Sequence, residues 1–206
     1  GRGIPIEPHP KDRLGRSTLE VIFTELHAGG KFEQGAYRTA GGLHGVGASV
    51  VNALSESLCV RVKRDGNLYE QRFERGRSLG KIEVVGEARG TGTFVHFVPD
   101  ADIFESVEFD ADLIRQRLEV KTYLHQGLRI VFRDDSSGQR RSDEFRHEGG
   151  ISEYLSDLLN ARNRRAILSE VIEAEKDDDD GRLNVALTWT ESTDTLIHSF
   201  VNGIPT

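Results

Sequence analysis

The spacing of apolar residues predicts a protein built from short helices and strands. In Ser17–Leu26 the apolar residues recur on one helical face, and Ser17 followed by Glu20 is a capping-box pattern that starts a helix. Apolar and polar residues alternate over Leu58–Lys63 and Leu68–Glu74, on either side of an Asp-Gly-Asn turn. This alternation predicts a β-hairpin.

Similar patterns continue along the rest of the chain. A short helix is predicted over 48–54 and longer ones over 112–124 and 151–159, and Leu113, Leu118 and Val120 of the helix over 112–124 are expected to face the core. Further strands are predicted over 81–85, 93–98, 127–132, 142–147, 167–174, 184–190 and 197–202. We therefore expect an α+β fold in which a mixed β-sheet is covered on one face by helices.

A glycine-rich stretch leads directly into the predicted short helix. Gly41–Asn52 reads GGLHGVGASVVN, so residues without a Cβ stand just before the first helical turn. The amide groups of such a turn have no partner within the helix and carry positive partial charge, which suits a polyphosphate. The spacing G-x-x-G-x-G matches neither a Walker A loop nor a dinucleotide fingerprint. It indicates a third kind of nucleotide site, or otherwise an ordinary flexible loop.

Composition narrows the class of protein. Hydrophobic residues make up 36% of the 206 residues and charged residues 30%, as in soluble globular proteins, and no apolar run approaches the roughly 20 residues that span a bilayer. The single cysteine, Cys59, cannot form an internal disulfide, which fits a reducing cytoplasm. Because its neighbours Leu58 and Val60 are apolar, we expect Cys59 in the core.

The formal net charge of −7 comes entirely from the last part of the sequence. Residues 1–165 hold 25 acidic and 25 basic side chains, whereas residues 166–206 hold 9 acidic and 2 basic ones. This shift predicts a domain boundary near residue 165. A module without clustered Lys and Arg binds DNA poorly, so any work on DNA is expected to need a partner or other parts of the protein.

Four sequence blocks carry a resemblance to a known family. The chain opens with GRGIP, continues with HAGGKF at 27–32 and GGLHGVG at 41–47, and has GTGT at 90–93. These blocks resemble the GHKL ATPases, and more closely the ATPase subunit of the bacterial type IIA DNA topoisomerases, gyrase and topoisomerase IV, over essentially the whole chain. The resemblance implies a GHKL-type two-layer sandwich over 1–165, followed by the start of an α/β transducer domain over 166–206.

The resemblance also implies a function for the intact protein. It would bind ATP with Mg²⁺, dimerise through its ATPase domains and hydrolyse ATP to drive DNA strand passage, together with gyrase A or its topoisomerase IV counterpart in the cytoplasm. In the family the general-base glutamate and the magnesium-binding asparagine lie upstream of the block that matches Gly1. No catalytic or metal-binding residue is therefore assigned to this chain. We expect a fragment that binds ATP weakly and does not turn it over alone.

The residues that match the family's ATP site form three groups. The resemblance implies that Lys31 and Tyr37 belong to a glycine-flanked lid that folds over the triphosphate, and that Thr93 hydrogen-bonds to the adenine, partly through water. Arg2 and Arg64 match arginines at the rim of the adenine pocket, where aminocoumarin-type inhibitors make contact. The complete ATP-binding set implied by the resemblance is Gly3, Ile4, Pro5, Lys31, Tyr37, Gly42, Leu43, His44, Gly45, Val46, Gly47, Ala48 and Thr93.

Other functions stay open from the sequence. A chaperone or mismatch-repair protein of the GHKL superfamily shares the glycine-rich stretch, but it is not expected to carry HAGGKF. A non-catalytic nucleotide- or anion-binding interaction module, or a structural fragment without a ligand, also fits parts of the pattern. A metal site at His44 is not expected, because no second ligand stands at a suitable spacing.

Overall fold

The computed structural model describes residues 1–28, 45–136, 138, 140–178 and 181–206. The described residues fall into two compact units, the first formed by 1–28 with 45–108 and the second by 109–206. The domain boundary expected near residue 165 stays a prediction. No helix in the described part of the chain has the length and apolar character needed to cross a membrane.

The first unit contains one antiparallel sheet. Its strands are β1 (Ser55–Arg64), β2 (Asn67–Glu74), β3 (Arg77–Ser78), β4 (Glu83–Glu87) and β5 (Gly92–Pro99). The strand order is β3-β2-β1-β5, and β4 also pairs with β2. The predicted hairpin is confirmed as β1 and β2, in register from Leu58 opposite Phe73 to Arg64 opposite Asn67.

Helices α1 (Thr18–Thr24) and α2 (Gly47–Ala53) belong to the same unit as the sheet. The predicted cap of α1 is confirmed, since the Ser17 hydroxyl accepts a hydrogen bond from the Glu20 amide at 3.1 Å. The core lies between α1 and one face of the sheet, because alternate strand residues point to the same side. Its buried members are Leu19, Phe23, Leu58, Val60, Val62 and Phe73.

The expectation that Cys59 is a core residue is wrong. It alternates with the buried Leu58 and Val60, so its side chain lies on the face of the sheet away from α1 and is only partly buried. Its neighbour on β5 is His96. Partial burial raises the pKa of the Cys59 thiol, with the carboxylate of Glu70 contributing.

The second unit contains two helices and three two-stranded antiparallel sheets. Helix α3 (Ala111–Leu124) is capped by Asp110, and Leu113 is 43% exposed rather than turned to the core as predicted. The remaining elements are β6 (Ile130–Asp134), β7 (Arg141–Phe145), α4 (Gly150–Ala161), β8 (Ile172–Asp178), β9 (Gly181–Leu187), β10 (Phe200–Val201) and β11 (Ile204–Pro205). The paired strands are β6 with β7, β8 with β9 and β10 with β11.

Candidate nucleotide site

The turn formed by residues 1–5 lies close to the end of β1. Gly3 has φ +79°, a conformation that residues with a Cβ rarely adopt. A Cβ at this position would be 2.9 Å from the carbonyl oxygen of Lys63 and 3.1 Å from Cγ1 of Val62. Glycine is therefore required here both by the backbone angle and by the space available.

Thr93 of β5 and Thr91, which lies just before that strand, both bond to this turn. The Ile4 amide donates to Oγ1 of Thr93 at 3.0 Å, and the Thr91 hydroxyl donates to the carbonyl oxygen of Gly1 at 2.8 Å. Thr93 is exposed and lies opposite Val62 on β1. Because its oxygen accepts from Ile4, its hydroxyl hydrogen can be donated to a ligand. The hydrogen bond between Ile4 and Thr93 thus places a hydroxyl donor beside the turn formed by residues 1–5.

Arg64 supports the same turn from the end of β1. Its Nη1 donates to the carbonyl oxygen of Gly3 at 3.4 Å, and its guanidinium forms ion pairs with Glu7 at 3.2 Å and Asp65 at 3.3 Å. A hydrogen bond from the backbone of Glu7 itself, with the charge of Arg64 adding to it, lowers the pKa of Glu7. Arg2, in contrast, is exposed. The two predicted rim arginines therefore have different surroundings.

The start of α2 presents backbone rather than side chains. Gly45 has φ +61°, and the N-cap residue Val46 makes no side-chain capping hydrogen bond. The hydroxyl of Ser49 turns back to the carbonyl oxygen of Val46 at 3.1 Å. A Cβ at Gly47 would have no described atom within 4 Å. The first-turn amides therefore lack a side-chain cap from the described residues, which is the condition that anion binding at a helix start requires.

The buried cluster contacts both segments that the sequence analysis predicts to bind the nucleotide. Ile4 of the turn and Ala48 of α2 both pack against the buried cluster between α1 and the sheet. Both segments therefore border the helix-bearing side of the sheet. The other predicted residues lie outside the described part of the chain, namely Lys31, Tyr37, Gly42, Leu43 and His44.

Two residues with a part in this geometry were missed by the sequence analysis. Thr91 and Glu7 both hold the turn, the first through Gly1 and the second through Arg64. Thr91 lies just before β5, and its place in the GTGT block next to Thr93 was the signal that could have found it. Nothing in the sequence indicated Glu7, whose partner is distant along the chain.

Comparison with known proteins gives whole-chain matches. The chain is 46% identical to the DNA gyrase B protein of Thermotoga maritima, 44% to that of Borreliella burgdorferi and 41% to that of Campylobacter jejuni, in each case over 100% of its length. It spans 32%, 32% and 26% of those relatives, respectively. No protein-family profile matches the chain.

A solved structure matches the fold as well. The 43K ATPase domain of Thermus thermophilus gyrase B, in complex with an aminocoumarin, superposes with a TM-score of 0.80 at 34% identity, covering 100% of this chain and 50% of that one. These matches confirm the predicted α+β fold and the predicted similarity to the ATPase subunit of the bacterial type IIA DNA topoisomerases. The chain is thus a relative of bacterial DNA gyrase B along its whole length, with the fold of a gyrase B ATPase domain.

Proposed function

We propose that this chain is the ATP-binding part of the ATPase subunit of a type IIA DNA topoisomerase of the gyrase kind. In that enzyme ATP binding and hydrolysis drive DNA strand passage and change supercoiling. The observation that carries the proposal is the hydrogen bond from Ile4 to Thr93, which fixes a hydroxyl donor beside the Gly3 turn. The names of the relatives support the assignment to gyrase.

In this proposal the adenine is recognised beside the turn. Thr93 accepts from the Ile4 amide and donates its hydroxyl hydrogen to the adenine, directly or through one water. Arg64 holds the carbonyl of Gly3 and so fixes the turn, while the exposed Arg2 lies at the rim. The site is therefore prepared by contacts within the protein before the nucleotide arrives.

The triphosphate is bound at the start of α2. The uncapped amides of Gly45–Ala48 donate to phosphate oxygens, and the missing side chain at Gly47 lets the phosphates approach the backbone. Lys31, Tyr37, Gly42, Leu43 and His44 are proposed to close over the same phosphates. Mg²⁺ accompanies the nucleotide and neutralises phosphate charge. The part of this chain is to bind and orient the nucleotide.

The proposal includes partners and a compartment. The ATPase domains pair with each other, and the complete protein works on DNA together with gyrase A. DNA is contacted through the intact enzyme, since residues 1–165 have balanced charge and residues 166–206 are acidic. The single cysteine agrees with a reducing cytoplasm.

The nucleotide site is tested by calorimetry with a non-hydrolysable ATP analogue on the complete gene product. Thr93→Val removes the hydroxyl and leaves the Ile4 amide without its acceptor, so we expect affinity to fall about tenfold, equivalent to about 1.4 kcal/mol. Thr93→Ser keeps the hydroxyl and should stay within about threefold of wild type.

Thr91→Val is the matched control. It removes the other threonine hydroxyl that holds the turn, at Gly1, but not the proposed adenine donor. Equal losses in the Thr91 and Thr93 valine variants, or an equal loss in Thr93→Ser, would contradict adenine recognition by Thr93. The enzymatic part is tested separately, by magnesium-dependent ATP hydrolysis and by supercoiling of relaxed plasmid after addition of gyrase A.

A further inference from the structure

A histidine and two carboxylates converge at the beginning of α4. His147 lies just before the helix, and Glu153 and Asp157 are four residues apart on one helical face. One ring nitrogen of His147 and one oxygen from each carboxylate all lie within 4.8 Å of one another. All three residues belong to the second unit of the chain.

Neighbouring groups hold each of these side chains in place. The Glu153 carboxylate accepts from Nδ1 of His147 and from the Gly149 amide, both at 2.8 Å. The Tyr123 hydroxyl donates to Asp157 at 2.7 Å, and the Tyr123 ring stacks on His147 with 3.6 Å between centroids. The Gly149 amide and the Tyr123 hydroxyl are outer contacts of the kind that orient metal ligands in characterised sites.

The cluster by itself is short of positive charge. Carboxylates four residues apart on a helix repel each other, and no lysine or arginine of the described residues forms an ion pair with Glu153 or Asp157. The only basic partner in this part of the structure is His147, whose second nitrogen, Nε2, is buried without a hydrogen-bond partner among the described residues. The two carboxylates are therefore held by hydrogen-bond donors but have no lysine or arginine as a charged partner among the described residues.

We propose that His147, Glu153 and Asp157 bind a divalent transition-metal ion, with zinc as the best fit. An imidazole nitrogen and two carboxylate oxygens are suitable zinc ligands, and a water molecule completes a tetrahedral site. Ligand atoms around one zinc ion are separated by about 3.3 Å, which follows from metal–ligand distances near 2 Å. The ligand atoms lie within 4.8 Å of one another in the metal-free structure, so zinc would draw them closer, and Asp157 is the exposed member of the set.

The ligand set separates this ion from the magnesium that accompanies a nucleotide. Mg²⁺ and Ca²⁺ prefer oxygen ligands only, whereas imidazole suits Zn²⁺ and its neighbours among the transition metals. The ion would join the segment after β7 to the first turns of α4, and through Tyr123 to α3. Its role is therefore structural, and it does not rest on the proposed ATP site.

Zinc binding is measured by competition with a chromogenic chelator, using the complete gene product without nucleotide. Wild type is expected to bind one more zinc ion than His147→Gln, or to bind it at least about a hundredfold more tightly, since loss of a ligand costs more than loss of an outer contact. Asp157→Asn, at an exposed position, should show the same loss. His147→Cys supplies a thiolate in place of the imidazole and should retain binding.

Glu148→Gln is the control, because it removes one negative charge beside His147 from a residue that pairs with Arg146 instead. It should bind zinc as wild type does. Far-ultraviolet circular dichroism verifies that each variant is folded. Equal zinc affinity and stoichiometry in wild type, His147→Gln and Asp157→Asn would overturn the site, as would an equal loss in Glu148→Gln.

Discussion

Gly3 and Gly149 both lie in turns where a Cβ would be too close to another atom, but the atoms that take up the space are different. At Gly3 the missing side chain lets one backbone segment approach another, with 2.9 Å between a Cβ placed there and the carbonyl oxygen of Lys63. At Gly149 it makes room for a side chain, because a Cβ there would be 2.9 Å from Cβ of Glu153. At the first turn the groups that meet at Thr93 are neutral, although Arg64 also contacts the Gly3 carbonyl, whereas the second turn places a carboxylate against an imidazole.

This difference indicates which ligand each turn suits. Around Gly3 the amide of Ile4 and the hydroxyl of Thr93 already satisfy each other, so a single donor is left for a neutral heterocycle. Beside Gly149 the imidazole of His147 is bonded to the Glu153 carboxylate, and the carboxylate of Asp157 lies nearby with a tyrosine hydroxyl as its donor, so a cation can be added between them. A nucleotide base suits the first arrangement and a metal ion suits the second.

The largest effect is expected from Gly3→Ala. A left-handed backbone costs alanine about 1–2 kcal/mol, and the contacts with Lys63 and Val62 force the turn away from β1. We expect about 3 kcal/mol of lost stability and no measurable binding of an ATP analogue. Urea unfolding and calorimetry of the complete gene product measure the two effects.

Gly90→Ala serves to separate the two effects of Gly3→Ala, namely the strain of a left-handed backbone and the close contact of the new Cβ with other atoms. Gly90 has φ +74°, nearly the same angle, but a Cβ there meets no atom within 4 Å. This variant should lose only the conformational part, about 1–2 kcal/mol, and should keep its affinity for the nucleotide. If both variants lose the same stability, the contact with Lys63 has no energetic weight.

Local chemistry made much of the first unit predictable. Ser17 and Glu20 determine where α1 begins, and the turn after Arg64 sets the register of β1 with β2. Cys59 was misplaced because its apolar neighbours indicated a core position, while strand alternation turned it to the other face of the sheet. The alternation that predicts β1 in fact groups Cys59 with Arg61 and Lys63 on the polar face, so the error came from judging Cys59 by its immediate neighbours.

The candidate sites were predictable to different degrees. Thr93 and the Gly3 turn were found through resemblance, but the contact of Arg64 with Gly3 joins residues 61 positions apart and has no local signal. The cluster at His147 depends on Tyr123, which comes from another helix. Side chains that meet only through tertiary packing cannot be read from spacing, although the four-residue interval between Glu153 and Asp157 was visible.

The second turn is tested by Gly149→Ala. Its φ of −83° is available to alanine, so the backbone is not strained, but the new Cβ would be 3.1 Å from Oε2 of Glu153 and would displace the carboxylate. We expect zinc affinity to fall about 10–100-fold and stability to fall by about 1–2 kcal/mol, because the 2.9 Å approach to Cβ of Glu153 must also be relieved. Gly80→Ala, where a Cβ meets nothing within 4 Å, is the control. Unchanged zinc affinity in Gly149→Ala would show that the space left at Gly149 is not needed to position the Glu153 carboxylate for a metal ion.

The smallest effect is a pH dependence of the zinc-free protein. The hydrogen bonds from His147 and from the Gly149 amide lower the pKa of Glu153. A carboxyl group with a lowered pKa in the folded state contributes stability above its unfolded pKa, and that contribution is lost as pH falls through the folded pKa. Glu153→Gln does not titrate, so the difference in Tm from wild type should be largest near neutral pH and should close below about pH 4.5.

Screening by solvent limits the Tm difference between wild type and Glu153→Gln. The Glu153 side chain is 36% exposed, so its interactions are screened and their contribution is less than about 1 kcal/mol. Thermal unfolding of wild type, Glu153→Gln and Glu148→Gln across that pH range measures it with a charge-matched control. A Tm difference that stays constant down to about pH 3 would mean that the Glu153 carboxylate gains nothing from His147 and Gly149. The turn at Gly149 would then lack the preorganised carboxylate on which the proposed zinc site depends.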